Sequence, residues 1–491
     1  MIADGLMQAL PNQLQRILQG YEHILPELVI AAWILVSIVG DLFLVGGNEK
    51  SARSWRYLIA QGGLILALLL AYQRMKHGTE GFVAFRMLWV NPGANAINCL
   101  ILAIGFVIIG MNQYQQKSFS FEEKIGFFSI LLGSLLTSLS VHFLSIFLSI
   151  ELMSLGTYLL VGLRKDKEGV RASLPYVLFG MGTSAMLLYG LSLIYGLTGT
   201  MLILDSAFSR GLATADPYFA GMALAMVGTG ILFKMSWVPF HPWSPDVMES
   251  LPAGWMSWIS TAPKIAVAWL GIRLVHFVPV SMQVVIAVLA ILTLLVGNLG
   301  ALSQTNAKRL VAYSSIAHGG FLAMAWLMPA EQGVDNLLFY SLVYSASTIL
   351  VFYILDELET TQYQIDDMSN WAGFGQAYPV RALALFIGFI ALIGLPPAGT
   401  FLAKVNYFSQ LWEKYQMTQS NPILALLIIA ILMTAVSIYY YLRIPYFMYF
   451  KKGEAIHPAD SFKNNWIYLL LGGGIIACML FPTLIYSIWK V

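Results

Sequence analysis

Apolar residues form long stretches along almost the whole chain, and short polar segments separate them. Stretches of about 20 apolar residues suit helices that cross the hydrocarbon core of a bilayer. The pattern predicts fourteen such helices, at about 24–46, 57–73, 94–113, 125–141, 142–163, 172–198, 216–240, 253–277, 281–301, 310–328, 337–355, 380–412, 422–449 and 466–488. No interval between them is long enough for an aqueous domain, so we predict an all-α polytopic membrane protein.

Two sets of five predicted helices follow one another, at 125–277 and 281–449. Because five is odd, the second set enters the membrane from the opposite side to the first, as in the inverted repeats of many transporters. The fourth helix of each set is interrupted by proline. Outside the repeats we predict an N-terminal part at 1–124 with three helices and a C-terminal part at 450–491 with one.

Each predicted interruption lies close to a lysine. In GILFKMSWVPFHPW, Lys234 precedes Pro239, and in LIGLPPAGTFLAK, Lys404 follows Pro396 and Pro397. Proline removes a backbone donor and frees carbonyl groups, which hydrocarbon cannot satisfy. Because an ammonium group or water can satisfy them, the break and the lysine explain one another. The alternative, open from the sequence alone, is that ordinary proline kinks coincide with the lysines by chance.

Four ionisable residues interrupt otherwise apolar stretches: Glu151, Lys234, Lys264 and Lys404. A charge in hydrocarbon costs several kcal/mol, so such residues usually mark an ion or proton path. We predict that Glu151 approaches Lys234, because a nearby carboxylate favours a charged lysine whereas burial disfavours it. A lysine balanced in this way can gain and lose a proton. His318, in another apolar stretch, could pass protons between Lys264 and Lys404.

Each of these residues also has an ordinary structural interpretation. Glu151 and Lys234 could form a static buried ion pair, which alone is weak evidence of function. Lys404 could be a cation that stabilises freed carbonyls, and His318 could be a hydrogen-bonded core residue. Lys264 could extend toward the interface, although it lies about eleven residues from the nearer end of its predicted helix.

Composition excludes several kinds of chemistry. Of 491 residues, 58% are hydrophobic and only 11% are charged, against about 25% in soluble domains. The net charge is +2 without a basic block, so no nucleic-acid binding is indicated. Two cysteines, Cys99 and Cys478, cannot hold an iron–sulfur cluster, and no complete GxGxxG follows a predicted strand. We therefore expect no cofactor or metal in this chain, and energy from an ion gradient or a partner.

Four segments in order, FLSIELMSLGTYLLVG, ILFKMSWVPFHPWSPDV, STAPKIAVAWLGIRL and ALSQTNAKRLVAYSSIAHGGF, carry a resemblance to a known family. The region 125–449 resembles the antiporter-like membrane subunits of proton-pumping NADH:quinone oxidoreductase, respiratory complex I. The resemblance implies that Glu151, Lys234, Lys264 and Lys404 are the buried proton-carrying residues of that family. The family has three related large membrane subunits. One has glutamate where this chain has Lys404, and another is longer, with extra C-terminal helices. Lys404 and the overall length therefore match the third.

The resemblance also implies partners and cofactors. NADH, FMN, iron–sulfur clusters and quinone are expected in partner subunits, and sister antiporter-like subunits and lipid are expected to surround this chain. One departure is Pro263, which stands directly before Lys264 where the family usually has serine, so proline could loosen the helix there. The rival interpretations are a subunit of a multisubunit cation/proton antiporter and a membrane scaffold whose buried charges have no role.

Charge placement predicts the topology. Fifteen Lys and Arg residues lie in the odd-numbered loops, against eight in the even loops and tails. The positive-inside rule then places the odd loops in the cytoplasm and both termini outside. We expect a multi-pass protein of the bacterial cytoplasmic membrane.

Before the first helix, apolar residues on one face predict a short interfacial helix, and a disordered tail is the alternative. These residues are Leu6, Leu10, Leu14, Ile17 and Leu18.

Overall fold

The computed structural model describes residues 20–44, 49–164, 167–275, 277–278, 280–359, 367–451 and 465–489, which are predominantly helical. In chain order the elements are α1 (Leu25–Leu44), α2 (Glu49–Lys76), β1 (Gly81–Val83), β2 (Leu88–Val90), α3 (Pro92–Tyr114), α4 (Phe121–Leu139), α5 (Phe143–Gly162), α6 (Lys167–Thr198), α7 (Ser206–Thr214), α8 (Pro217–Met235), α9 (Trp243–Ser250), α10 (Ala253–Val275), α11 (Val280–Leu302), α12 (Ala307–Leu322), α13 (Ala330–Glu359), α14 (Phe374–Ala377), α15 (Pro379–Ile393), α16 (Gly399–Thr418), α17 (Asn421–Phe450), α18 (Trp466–Leu480) and α19 (Pro482–Trp489). Short 3₁₀ helices lie at Ala323–Leu327 and Met368–Trp371.

Helices coincide with the apolar stretches of the sequence, usually within a few residues at each end. Within the described ranges, nine helices are long and apolar enough to cross a membrane, and the bent pair α18–α19 would make a tenth. The chain is therefore a helical membrane protein with nine or ten apolar spans in these ranges. The full layout of fourteen crossings in two inverted repeats stays a prediction.

The C-terminal helix and several short elements differ from the prediction. The stretch 466–488 is not one helix, because α18 and α19 meet at an angle of 90°. Pro482, the first residue of α19, has no N–H to continue the hydrogen bonding of α18. The antiparallel hairpin β1–β2 and the helices α7 and α9 lie in segments where we predicted only loops. The proposed interfacial helix before residue 20 lies outside the described residues.

Contacts divide the chain into two compact units. The first contains the residues through Leu160 together with Ser184–Gly228. In this unit α4 and α5 approach closely at small residues, as membrane helices commonly do. A Cβ added to Gly133 would lie 2.8 Å from Ser149 O, and one added to Gly156 would lie 2.8 Å from Gly126 O. The close contact fixes the position of α5, which carries Glu151.

A buried ion pair joins the N-terminal helices of the first unit. The Arg74 guanidinium of α2 donates to both carboxylate oxygens of Glu27 of α1, at 2.9 and 3.0 Å. Asn98 of α3 adds a third hydrogen bond to Glu27, at 2.7 Å. The Arg74 and Glu27 side chains are only 4% and 2% exposed. Because both charges are fully enclosed, each depends on the other for its stability.

The second unit contains Val161–Thr183 and Thr229–Lys490. Its interior is formed by α10, which is buried around nearly its whole circumference, and by α12 and α13 beside it. A helix that is buried on all faces lies at the centre of a bundle rather than at the lipid surface. This arrangement places Lys264 of α10 and His318 of α12 inside the protein.

Arg74→Met tests the buried pair of the first unit. Removing the guanidinium leaves the Glu27 carboxylate buried without a counter-charge, so we expect a loss of about 3–5 kcal/mol in the free energy of unfolding. Thermal unfolding of the detergent-solubilised protein measures the loss. The double variant Glu27→Leu/Arg74→Met removes both charges and should regain most of it. Equal losses in the single and double variants would contradict a charge-based explanation.

Candidate functional site

The first helix break follows Lys234. Helix α8 ends at Met235, and Ser236 adopts a left-handed conformation with a φ of +55°. The Trp237 N–H turns back to donate to Leu232 O at 2.9 Å, and Pro239 lies in the non-helical segment before α9. Lys234 occupies the last turn of α8 with 4% exposure. A cation there is placed favourably with respect to the carbonyl end of the helix.

A glycine brings the first break close to His318. A Cβ added to Gly319 of α12 would lie 2.9 Å from Met235 O, so only glycine permits this approach. Beyond the break, Trp237 stacks on Trp326 with ring centroids 5.3 Å apart. The end of α8 therefore packs directly against the turn of α12 that carries the histidine.

The second break is organised around Lys404. Helix α15 ends at Ile393, Gly394 follows in a left-handed conformation with a φ of +83°, and Pro396 and Pro397 precede α16. Lys404 Nζ reaches back from α16 and donates to Ile393 O at 2.7 Å. A Cβ on Gly394 would lie 2.7 Å from Lys404 Cδ. The lysine thus satisfies a carbonyl freed by the break, which is also the contact expected of a purely structural cation.

Lys264 is 1% exposed in the middle of α10. Its Nζ donates to Ser315 O at 2.7 Å and to Ser315 Oγ at 2.8 Å. Helix α10 continues through Pro263, although this proline has no N–H to donate within the helix. One turn earlier, the Tyr344 hydroxyl donates to Ser260 O at 3.1 Å, and it also lies 3.2 Å from Ser315 Oγ. Lys264 therefore begins a connected series of hydroxyl groups.

His318 lies between tyrosine hydroxyls. Its Nδ1 is 2.6 Å from Tyr340 Oη, and its Nε2 is 3.5 Å from Tyr441 Oη. The imidazole also packs on the Tyr344 ring at 4.8 Å between centroids. Tyr441 forms a further hydrogen bond with Ser314. Each hydroxyl can both donate and accept, so both imidazole nitrogens have partners that can exchange protons.

One aromatic ring, that of Phe321, lies near both His318 and Lys404. The Phe321 centroid is 4.2 Å from Lys404 Nζ and 6.3 Å from the His318 ring. His318 also lies within electrostatic range of both Lys264 and Lys404. The structure thus brings these three predicted site residues into one buried group in the second unit.

Glu151 lies on α5 in the first unit and is half-buried. Its carboxylate accepts a hydrogen bond from the Ser184 hydroxyl of α6. Tyr158, two turns further along α5, lies within electrostatic range of the carboxylate. Lys234 belongs to the second unit, and its approach to Glu151 stays a prediction.

Sequence reasoning missed the hydroxyl groups and a surface ion cluster. Arg309, at the start of α12, donates to Asp246 at 2.8 Å and to Glu249 at 2.7 Å, both on α9. These bonds hold α9, which follows the first break, against the helix that carries His318. The helical spacing of Ser314, Ser315 and His318 was a signal that a polar face exists.

No group of His, Cys, Asp and Glu in the described ranges could hold a metal ion.

Comparisons with known proteins identify the family of this chain. Residues 140–434 match the family model described as NADH:quinone oxidoreductase/Mrp antiporter, TM. NAD(P)H-quinone oxidoreductase subunit 2 of Crocosphaera subtropica is 34% identical over 456 residues, which covers 90% of this chain and 84% of the relative. NADH-quinone oxidoreductase subunit N of Salinibacter ruber is 34% identical over 395 residues, with 78% and 75% covered.

Solved structures show the same fold. A chain of respiratory complex I from Thermus thermophilus superposes with a TM-score of 0.77 at 26% identity, covering 94% of this chain and 99% of the other. A chain of the Mrp complex from Dietzia gives 0.76 at 18% identity, with 96% of each chain covered. The chain belongs to the NADH:quinone oxidoreductase/Mrp antiporter family of membrane proteins. Within that family it is of the subunit N type, called subunit 2 in some relatives.

Gly394→Ala tests the geometry of the second break. The left-handed backbone costs alanine about 1–2 kcal/mol, and the added methyl group displaces the Lys404 side chain. We expect lower thermal stability of the purified protein and loss of the contact between Lys404 Nζ and Ile393 O in a high-resolution structure. Gly473→Ala is the matched control, because nothing lies within 4 Å of its added Cβ. Unchanged stability and an unmoved lysine in Gly394→Ala would contradict the described geometry.

Proposed function

We propose that this chain is a proton-translocating membrane subunit of an NADH:quinone oxidoreductase complex and carries no redox chemistry itself. The observation that supports this proposal most directly is the buried series from Lys264 through His318 to Lys404 in the second unit. Membership of the family and the names of the relatives, which are subunits of NADH- and NAD(P)H-quinone oxidoreductases, agree with it.

Proton transfer along this series needs groups that exchange a proton near neutral pH. A buried amine and an imidazole can do so, and hydroxyl groups can relay a proton because they donate and accept at once. Lys264 is joined through Ser315 to Tyr344, whose ring packs on His318. A ring contact carries no proton, so the proposal requires water between these hydroxyls and the imidazole. In the proposed mechanism Glu151 sets the charge of Lys234, and that charge in turn drives a proton from Lys264 through His318 toward Lys404.

The finer membrane layout belongs to the same proposal. Fourteen crossings would form two inverted repeats, at 125–277 and 281–449, each with one broken helix. Both termini would lie on the outer side of a bacterial cytoplasmic membrane, as the distribution of Lys and Arg favours. Partner subunits would hold NADH, FMN, iron–sulfur clusters and quinone, and sister antiporter-like subunits would pack against this chain in the bilayer.

A cation/proton antiporter subunit is the second candidate function. The fold likeness to a chain of the Mrp complex and the description of the family model favour it. The chemistry of the second unit argues against transport of a metal cation along this route. Alkali and alkaline-earth cations require oxygen ligands, commonly with carboxylates among them, whereas the central ionisable groups here are Lys264, His318 and Lys404. Basic groups repel a metal cation but can carry a proton.

Lys264→Met tests the proposed function. Methionine keeps the length of the side chain but cannot carry a proton, so we expect NADH-driven proton translocation to fall about 10- to 100-fold while the complex still assembles. Proton uptake and quinone reduction in membrane vesicles measure the two activities, and Lys234→Met should behave similarly. Lys76→Met, at an exposed helix end, is the control.

Wild-type translocation in assembled Lys264→Met complex would contradict the proposal. A sodium-dependent exchange activity that is lost in Lys264→Met, together with unaffected quinone reduction, would instead favour the antiporter function.

A further inference from the structure

The ammonium group of Lys404 has two interactions in the structure, one polar and one aromatic. Its Nζ donates to Ile393 O at 2.7 Å and lies 4.2 Å from the centroid of the Phe321 ring. Lys404 and Phe321 are each only 3% exposed. A cation over an aromatic face is attracted more strongly when both groups are shielded from water.

Phe321 is placed on the same face of α12 as His318. The two residues are three apart in the sequence, which puts them one above the other on a helix. The Phe321 centroid lies 6.3 Å from the His318 ring and 6.3 Å from the Tyr340 ring. The ring therefore lies near both the His318 imidazole and the Lys404 ammonium group. Lys404 donates to Ile393 rather than to the histidine.

The aromatic interaction depends on the charge of Lys404. The negative face of a phenyl ring attracts an ammonium ion, whereas a neutral amine has no net charge to be attracted. The Ile393 carbonyl likewise binds a charged donor more strongly than a neutral one. Both contacts therefore weaken when Lys404 loses its proton.

On the basis of the function proposed above, we propose that Phe321 is a positioning residue that holds Lys404 away from His318 only while Lys404 is protonated. A proton that reaches Lys404 is then retained at the second break, and its return to His318 is hindered. Once Lys404 has given its proton to water beyond the second break, the neutral amine is released from the ring and can approach His318, which donates the next proton to it. This dependence on charge gives direction to the last step of the series.

Other ionisable groups surround this step and are present in every variant of the test. They are His318 on α12, Tyr340 on α13, Tyr407 on α16, Tyr441 on α17 and Lys264 on α10. Because substitutions at Phe321 leave all of them in place, a changed pH profile of translocation reports on the ring rather than on a lost titratable group.

Replacement of Phe321 by fluorinated phenylalanines tests the proposal in the assembled complex. Each added fluorine weakens the negative face of the ring with little change in its shape. We expect a graded fall in protons translocated per NADH oxidised, reaching roughly five- to tenfold for trifluorophenylalanine, and a shifted pH profile, while quinone reduction is retained. Trifluorophenylalanine at Phe339, a buried ring that stacks on Tyr486 at 5.2 Å, is the matched control.

Two outcomes separate this inference from the proposed function. If Lys404→Met abolishes translocation but fluorination of Phe321 has no effect, Phe321 has no charge-dependent role and only the inference fails. If Lys404→Met translocates protons at the wild-type rate, the proposed function itself fails. Phe321→Leu keeps an apolar side chain without a π face and should match the trifluoro variant; a loss seen in Phe321→Leu alone would indicate a packing role.

Discussion

The structure of the candidate site depends on one constraint, the cost of leaving polar groups unsatisfied away from water. Where α15 stops, backbone carbonyls have no helical partner, and hydrocarbon offers none. Lys404 reaches back across Gly394 to donate to Ile393 O at 2.7 Å. The charged amine of Lys404 also requires a polar partner when it is buried. The freed carbonyl and the buried amine therefore stabilise each other, and this interaction keeps a proton-binding group deep in the protein.

Inside the second unit, further polar residues lie near Lys404 and are buried away from lipid. Lys264 and His318 are carried by α10 and α12, whose buried positions leave room for hydroxyl partners rather than for acyl chains. Tyr340, Tyr344 and Tyr441 present large apolar rings to the core. The hydroxyls of Tyr340 and Tyr441 are directed at His318, and that of Tyr344 is directed at Ser315, which binds Lys264. Tyrosine combines these two properties in one side chain, which explains how a polar series can run through a tightly packed core.

Much of this architecture follows from local features of the sequence. Hydropathy located the helices because membrane spans must be apolar, and the prolines beside Lys234 and Lys404 located the breaks because proline cannot continue a helix. Pro263 interrupts the sequence of α10 but not its helical run, which continues through the proline to Val275. The tyrosines around His318 were missed because they come from α13 and α17, far away in the sequence. The contacts of Arg309 with α9 likewise depend on the tertiary fold, whereas the bend at Pro482 has a local cause in the proline itself.

The measurement that tests the central claim most directly is a high-resolution structure of the assembled complex in a lipid bilayer, with ordered water resolved. A continuous series of water molecules and hydroxyl groups should connect Lys264 Nζ, the His318 imidazole and Lys404 Nζ. Apolar side chains or lipid filling the space between these groups, with no water on either side of Phe321, would contradict a proton path through the second unit.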